Sequence, residues 1–286
     1  MKRLLAPILA TLLALVAAPA LATGWSSDPE AAFARAERED RLVLVALYAD
    51  WCGWCRKLER EVFPSDRFRD FARPFVLLRA NVEDGGAGGE LRDRHRAGSL
   101  PTLLVLDARQ VRIAEVEGYL PAGDLVAEIE RGLAAWRSLL TAFEQALAAP
   151  PRPERLQSLA EQLHRRDDGR RAAALYRRWL ALDPPEPARR WGRYLLADAL
   201  RLDGDRVAAL AEAGRARDAA TAASDGELAE LAALLASRIH EADGRCAEAR
   251  AALEAFLADH PANRRSARVR GEIARLAPDG PASRCG

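Results

Sequence analysis

Over the first half of the chain, strand-like apolar runs alternate with apolar residues at helical spacing. The run at 42–47 is short, continuous and rich in branched side chains, which predicts a buried strand. Further strands are predicted at 75–81, 102–106 and 113–117, and helices at about 29–36, after residue 52, around 90–95 and from about 124 to 133. Strands with interleaved helices predict a central sheet covered on both faces.

After residue 132 the pattern contains no further strand, and Ala, Leu, Arg and Glu dominate. The consecutive prolines Pro150 and Pro151 cannot continue a helix, so they are the clearest break between the two halves. A first helix of the second half is expected to begin near Trp136. We therefore place the boundary between residues 135 and 150, and we predict that the second half is all helical.

The dipeptide Asp-Gly recurs between helical stretches of the second half. Its three copies are Asp168-Gly169, Asp203-Gly204 and Asp243-Gly244. Their spacing of about 35 and 40 residues is typical of a helical-hairpin repeat. The stretches after the first and third copies share small residues near the start, large apolar residues later, and an Asp closely followed by Pro. Residues 154–277 thus resemble tetratricopeptide repeats with a degenerate middle unit, which implies about three hairpins stacked in a short solenoid.

The N-terminus has the pattern of a secretory signal. The basic pair Lys2-Arg3 precedes an apolar stretch, and small residues suited to cleavage follow at 20–22. An uncleaved membrane anchor is the alternative, but prolines flank the stretch and leave it short of the roughly 20 residues that a spanning helix needs. Because no Cys stands at the expected cleavage point, a lipid anchor there is not expected.

Composition narrows the function further. Lys and Arg number 43 against 42 Asp and Glu, and the formal charge of +1 gives no sign of a nucleic-acid partner. Four cysteines are too few for a disulfide scaffold but suit one active pair and one structural pair. Abundant Arg and Ala suggest a GC-rich bacterial genome, and an exported bacterial protein is expected in the periplasm.

About 260 residues remain after cleavage, which is enough for two domains of ordinary size. The predicted division is a signal peptide at 1–22, an α/β domain at 23–135, a connecting helix or linker at 136–153, helical repeats at 154–277 and a C-terminal tail at 278–286. The expected fold class is therefore an α/β domain followed by an all-α solenoid of helical hairpins.

Two thiols, Cys52 and Cys55, lie three residues apart where a predicted strand gives way to a predicted helix. The first turn of a helix has unpaired backbone N–H groups and the positive end of the dipole, which favour a thiolate at Cys52. Cys55 would lie one turn further along the same face, within reach of a mixed disulfide on Cys52. This is the geometry that thiol–disulfide exchange requires.

Three motifs, together with the order of elements, make residues from about 28 to 133 resemble the thioredoxin fold. The motifs are Trp51-Cys52-Gly53-Trp54-Cys55, then Gly98-Ser99-Leu100-Pro101-Thr102, which leads into a strand, and Gly118 after the last strand. The resemblance implies that Cys52 is the attacking thiolate and Cys55 the resolving thiol. It also implies a cis-proline loop, in which Pro101 packs against the cysteines and the backbone at Leu100 binds a substrate segment. The other substrate-binding residues that it implies are Trp51, Gly53 and Trp54.

The chain departs from the thioredoxin pattern at three positions. Many thioredoxins carry a buried acid in the first central strand that helps proton transfer, and Ala46 stands at that position. Arg79 occupies about the place of a strand lysine in the family, and we interpret it as a solvated charge. The dipeptide Gly53-Trp54 between the thiols differs from those of better-known relatives, so the redox potential does not follow from the resemblance.

Other roles for the pair Cys52 and Cys55 have less support. Zinc binding needs a second pair of ligands, and His95 stands isolated among charged residues. The other histidines lie near helix ends, where we expect solvated or capping roles. A structural disulfide would close so small a loop that it could stabilise little. No metal and no organic cofactor is therefore expected.

The remaining cysteines are Cys246, at the start of a repeat helix, and Cys285, in the C-terminal tail. In an oxidising compartment these two thiols could pair and attach the tail to the solenoid. The alternatives are two separate thiols, or a bond from Cys285 to another molecule.

The leading hypothesis is an exported thiol–disulfide oxidoreductase that exchanges electrons with protein dithiols and disulfides. A reductase of this kind would need a membrane reductant, because the chain has no nucleotide-binding signature. The helical repeats would provide a docking surface for a client or for the redox partner. The rival hypothesis is a repeat-based interaction module whose thioredoxin-like domain is a binding platform without redox turnover.

Overall fold

A computed structural model of the chain describes residues 24–261 and 266–277. The predicted signal peptide at 1–22 and the tail at 278–286 lie outside the described residues. The first part of the described chain is built on a sheet, and the rest is helical. The predicted division into an α/β part and an all-α part is therefore confirmed.

The sheet has four strands in the spatial order β2-β1-β3-β4. The strands are β1 (Val43–Tyr48), β2 (Val76–Asn81), β3 (Thr102–Leu106) and β4 (Arg112–Glu117). Strand β1 pairs with β2 in parallel and with β3 in the antiparallel direction, and β3 and β4 are antiparallel. The continuous apolar run predicted at 42–47 is thus a central strand, as its lack of polar positions implied.

Helices cover both faces of this sheet. They are α1 (Pro29–Glu39), α2 (Gly53–Lys57), which continues in a π-helical segment (Leu58–Val62), α3 (Asp66–Ala72), α4 (Ala87–His95) and α5 (Ala122–Ala148). Side chains of α1 and α4 share one apolar cluster with Val43, Val45 and Leu47 of β1. The π-helical segment, α3 and α5 contribute to the cluster on the other face, which includes Leu44.

Helix α5 is one continuous helix of 27 residues. The expectation of one helix ending near residue 133 and another beginning near Trp136 is therefore wrong, and the predicted border at residue 135 lies within α5. The start of α5 packs on β4. Its later apolar side chains, including Trp136 and Phe143, belong to the same cluster as those of the next helices.

The helical part consists of consecutive helices that each pack on the next. They are α6 (Pro153–His164), α7 (Gly169–Leu180), α8 (Ala188–Asp203), α9 (Arg206–Ala222), α10 (Gly226–Ala242), α11 (Cys246–Asp259) and α12 (Ser266–Arg275). This arrangement is consistent with stacked hairpins. The tetratricopeptide identity of the repeats stays a prediction.

The three Asp-Gly dipeptides lie between the two helices of a hairpin, as predicted, but they do not play the same local role. The Asp168 carboxylate accepts the N–H of Arg171 and so caps the start of α7. Gly204 is the left-handed residue that ends α8, and Asp205 caps α9. The repeat therefore preserves the position of the turn rather than one hydrogen-bond pattern.

The turn between α6 and α7 covers the outer edge of β4. The backbone N–H of Arg112 donates to the carbonyl of Arg166 at 2.8 Å, and the Arg166 guanidinium donates to the carbonyl of Ile113 at 2.7 Å. On the opposite edge, Ser26 forms backbone hydrogen bonds with β2. Both outer strands thus have part of their backbone covered.

Two histidines lie close to carboxylates, and the solvated or capping role expected for His164 is not what the structure shows. His95 is buried, and its Nδ1 lies 3.3 Å from Oδ2 of Asp167, next to the same α6–α7 turn. Nε2 of His164 lies 2.9 Å from Oδ2 of Asp198 on α8. Burial alone would raise the pKa of Asp198, but its hydrogen bond with His164 and the nearby Arg201 lower the pKa below its usual range. Both histidines therefore connect elements that are distant in the sequence.

Among the described helices, none has the length and apolar character that a membrane span requires.

We expect Gly169→Ala to destabilise the protein by about 2 kcal/mol, because a Cβ atom would overlap its neighbours. That atom would lie 2.3 Å from the carbonyl oxygen of Ala199 and 2.6 Å from the backbone nitrogen of Asp203. Urea unfolding followed by circular dichroism measures the change. Gly214→Ala, in α9 with open space around it, is the matched control and should be neutral or stabilising. Equal effects of the two substitutions would contradict the close approach at Gly169.

Candidate active site

Cys52 and Cys55 form a disulfide at the start of α2, with the two sulfurs 2.03 Å apart. Cys52 is the N-cap residue, so it lies just before the first turn in which the sequence placed it. Its Sγ accepts the backbone N–H of Cys55 at 3.1 Å. Both residues are almost fully buried, with exposed fractions of 3% and 4%.

This placement favours negative charge on Cys52 once the disulfide is reduced. A backbone N–H that points at a sulfur stabilises the thiolate more than the thiol, and the positive end of the helix dipole acts in the same direction. The π-helical segment extends the helix beyond Lys57, so the helix does not end with the short α2. The arrangement can thus support a nucleophilic sulfur at Cys52 and a second sulfur held beside it.

The peptide bond between Leu100 and Pro101 is cis, as the resemblance implied. Leu100 packs against the apolar cluster that contains both cysteines. The carbonyl of Pro101 accepts the backbone N–H of Gly118 at 2.7 Å, so the loop before β3 is joined to the end of β4. The structure therefore brings Leu100 to the apolar cluster of the cysteine pair from a segment almost 50 residues further along the chain.

Two exposed tryptophans flank Cys52 in the sequence. Trp51 and Trp54 have exposed fractions of 66% and 58%, although both indoles make specific side-chain contacts. The indole N–H of Trp51 donates to Oε1 of Glu83 at 2.9 Å. The Trp54 ring lies 5.5 Å from the ring of Tyr119, measured between centroids. Gly53, between Cys52 and Trp54, is exposed at the first position of α2.

Tyr119 is a site residue that the sequence analysis missed. Its hydroxyl donates to Oε2 of Glu61 at 2.9 Å, and this hydrogen bond raises the pKa of the Tyr119 phenol above its usual range. The phenol therefore stays protonated at neutral pH. The i,i+4 spacing of Lys57 and Glu61 indicates an ion pair along one helix, and the structure contains it. Nothing in the sequence connects this pair to Tyr119.

Ala46 is buried at the place where the resemblance led us to look for an acid, and it stands opposite Arg79 in the β1–β2 register. The prediction that Arg79 is a solvated charge is wrong. Its guanidinium pairs with the Glu59 carboxylate and lies 4.5 Å from the centroid of the Tyr48 ring. Glu59 stands four residues after Cys55 and brings its carboxylate to Arg79. Nothing in the sequence had singled out this residue.

Of the predicted pair Cys246 and Cys285, only Cys246 lies within the described residues. Cys246 is the first residue of α11 and is half-buried. Cys285 lies outside the described residues, so its bond to Cys246 stays a prediction. Within residues 24–261 and 266–277, no three His, Cys, Asp or Glu side chains gather in a group that could hold a metal ion.

Comparison with known proteins places residues 24–108 in a family model described as thioredoxin-like. Among curated proteins, the thiol:disulfide interchange protein DsbD of Tatumella citrea is 31% identical over 98 residues, which are 33% of this chain and 17% of that protein. DsbD of Salmonella typhi is 31% identical over 110 residues, or 37% of this chain and 19% of that protein. The chain thus spans less than a fifth of the length of these relatives.

Two solved structures are also similar to part of the chain. A putative disulphide-isomerase from Bacteroides thetaiotaomicron is 33% identical, with 38% of this chain and 90% of that chain covered and a TM-score of 0.35. The DsbH oxidoreductase is 18% identical, with 45% and 95% covered and a TM-score of 0.34. By the family match, residues 24–108 belong to a thioredoxin-like domain, and β4 completes its four-stranded sheet.

Proposed function

We propose that this chain is an exported thiol–disulfide oxidoreductase that acts on protein clients. The observation that carries the proposal is the Cys52–Cys55 disulfide at a helix start, with the Cys52 sulfur accepting a backbone N–H. Cys52 is the attacking residue and Cys55 the resolving one. Residues 24–108, which match the thioredoxin-like family model, contain both cysteines, and the similarity of the chain to thiol:disulfide interchange proteins supports the same chemistry.

The exchange balances without a cofactor. In the reduced protein, the Cys52 thiolate attacks one sulfur of a client disulfide, and the other client sulfur leaves as a thiolate that takes up a proton. The Cys55 thiol then loses its proton and attacks Sγ of Cys52. The client leaves as a dithiol, two electrons have passed to it, and Cys52 and Cys55 are again joined as a disulfide.

The same steps in reverse donate a disulfide to a client, and the direction depends on the reduction potential of the pair relative to its partners. A reductase would be recharged by a reduced dithiol on a membrane partner. Export by the N-terminal signal would place the protein in the periplasm, where such exchange is required. The helical repeats would dock the client or the partner beside the redox site.

Cys55→Ala tests the proposal directly, because a mixed disulfide on Cys52 then lacks the thiol that resolves it. We expect client proteins to accumulate on Cys52 as adducts that run as higher bands on non-reducing gels and disappear on reduction. Mass spectrometry identifies the bonded cysteines. The double variant Cys52→Ala/Cys55→Ala is the matched control and should form none of these adducts. An empty trap in cells would favour a binding platform without turnover.

A further inference from the structure

Four side chains beside the cysteine pair form a closed group, which we call the Trp54 cluster: Trp54, Lys57, Glu61 and Tyr119. Nζ of Lys57 lies 5.2 Å from the centroid of the Trp54 ring and 4.5 Å from that of the Tyr119 ring. The same Nζ lies 3.9 Å from Oε2 of Glu61, which accepts the Tyr119 hydroxyl. Each member of the cluster therefore contacts at least two others.

The Trp54 cluster fixes an indole that would otherwise rotate freely in solvent. Trp54 contacts both the Tyr119 ring and the Lys57 ammonium, and cation–π and ring–ring contacts are both favourable at these distances. Tyr119 in turn follows Gly118, whose N–H binds the carbonyl of Pro101. Tyr119 and Gly118 thus connect the exposed indole to the loop at Leu100 and Pro101.

Trp51 is restrained in a similar way on the other side of Cys52 in the sequence. Its indole N–H binds the Glu83 carboxylate, and the backbone N–H of Glu83 donates to Oδ1 of Asn81 at the end of β2. An aromatic side chain that is already fixed loses little conformational entropy when a partner packs on it. Both tryptophans can therefore serve as rigid apolar surfaces.

The chemistry places a client chain at these surfaces. A mixed disulfide bonds a client cysteine directly to Cys52, which is adjacent to Trp51 and two residues from Trp54. An extended chain advances about 3.3–3.6 Å per residue, so the client residues one or two positions from that cysteine lie within roughly 7 Å of it. Those residues are the ones that can reach the two exposed indoles.

We propose that Tyr119 determines client specificity. By holding Trp54, it makes the site favour protein segments with a large apolar or aromatic side chain within two residues of the reactive cysteine. The proposal rests on the proposed oxidoreductase function. The charge on Lys57 gives little preference for clients with an acidic residue beside the cysteine, because the ammonium group already contacts Glu61 and the two rings.

The test uses two peptides that differ only beside the cysteine, one with Phe and one with Ser. Each peptide is joined by a disulfide to the same small thiol, and the reduced full-length protein is mixed with it. The ratio of the two second-order rate constants is measured, which cancels any change in the reactivity of Cys52 itself. For the wild type we expect the Phe peptide to react about 3- to 10-fold faster, the factor that a stacked aromatic pair supplies.

In Tyr119→Ala the ratio should fall close to one. Tyr119→Phe keeps the ring and loses only the hydrogen bond to Glu61, so it should keep most of the preference. The control is Val207→Ala, at an apolar residue that is 83% exposed on α9, a helix that packs on α8 and α10, and it should retain the wild-type ratio. A residue with a merely structural role would not give this order of variants.

The outcomes distinguish the role of Tyr119 in client preference from the oxidoreductase function itself. Equal rates for the two peptides in the wild type, or an unchanged ratio in Tyr119→Ala, would overturn the role of Tyr119 while the exchange function stands. If Tyr119→Ala does not fold, Lys57→Ala is measured in its place, and the ratio must fall because this variant removes the side chain that contacts both rings. Failure of the wild type to react with either peptide would refute the oxidoreductase function itself.

Discussion

Cys52→Ala is expected to reduce the rate of thiol–disulfide exchange by about 10³-fold or more, to the rate measured in buffer without the protein. The sulfur of Cys52 is the one that receives a backbone N–H in the structure, and without it no thiolate is held at the helix start. Cys55 follows inside the first turn and lacks this position. Reduction of a disulfide-linked peptide by the prereduced protein, followed by mass spectrometry, measures the loss.

A double variant, Cys246→Ser/Cys285→Ser, is the control for Cys52→Ala. It removes the other two cysteines of the chain and should leave the exchange rate near the wild-type value, because the Cys52–Cys55 pair is intact. Cys52→Ala also separates the two candidate functions. A binding platform would keep its partners and its cellular phenotype in this variant, whereas an oxidoreductase would lose its activity. Exchange that persists in Cys52→Ala would refute the assignment of the attacking sulfur.

Ala135→Pro is expected to lower the free energy of unfolding by about 3 kcal/mol or more. Residue 135 is exposed in the interior of α5, where a proline removes a helical hydrogen bond and its ring clashes with the preceding turn. The damage should reach both parts of the protein, because α5 packs on β4 with its first half and on the helical region with its second half. Urea unfolding followed by circular dichroism and by tryptophan fluorescence measures it.

The matched control is Ala122→Pro, at the first residue of the same helix. A proline is tolerated there because the N–H of that position has no helical partner and the fixed φ angle suits a helix start. We expect this variant to change the stability by less than about 1 kcal/mol. If Ala135→Pro were as stable as Ala122→Pro, the helix would be interrupted near residue 135, between the two helices that the sequence pattern predicted, instead of running continuously from Ala122 to Ala148.

The sequence predicted the sheet well because β1 and β3 are nearly continuous apolar runs, while apolar side chains recur among polar ones along β2 and β4. The run at 42–47 needed a shift of only one residue to match β1. The continuity of α5 was missed because the change of character after Gly132 resembles a helix end. In the structure Gly132 lies inside α5, where a Cβ atom would be 2.5 Å from Cβ of Ala114 on β4. The glycine allows the helix to approach the sheet closely, and this requirement depends on the tertiary structure.

The active site was predictable to the extent that it is local. Cys52, Cys55 and the Leu100–Pro101 loop belong to short motifs, and the structure brings them together. Tyr119 could not be predicted, because its hydroxyl binds a carboxylate that is 58 residues away in the chain. A hydrogen bond over such a distance leaves no periodic signal in a single sequence.

The backbone hydrogen bond between Arg112 and Arg166 affects how the thioredoxin-like domain would behave if it were cut from the rest of the chain. An isolated fragment that ends after α5 would lose this cover and expose the outer edge of β4. Exposed strand edges pair with one another, which leads to dimers and to aggregates. The helical region is thus expected to prevent edge-to-edge association of the sheet by covering β4.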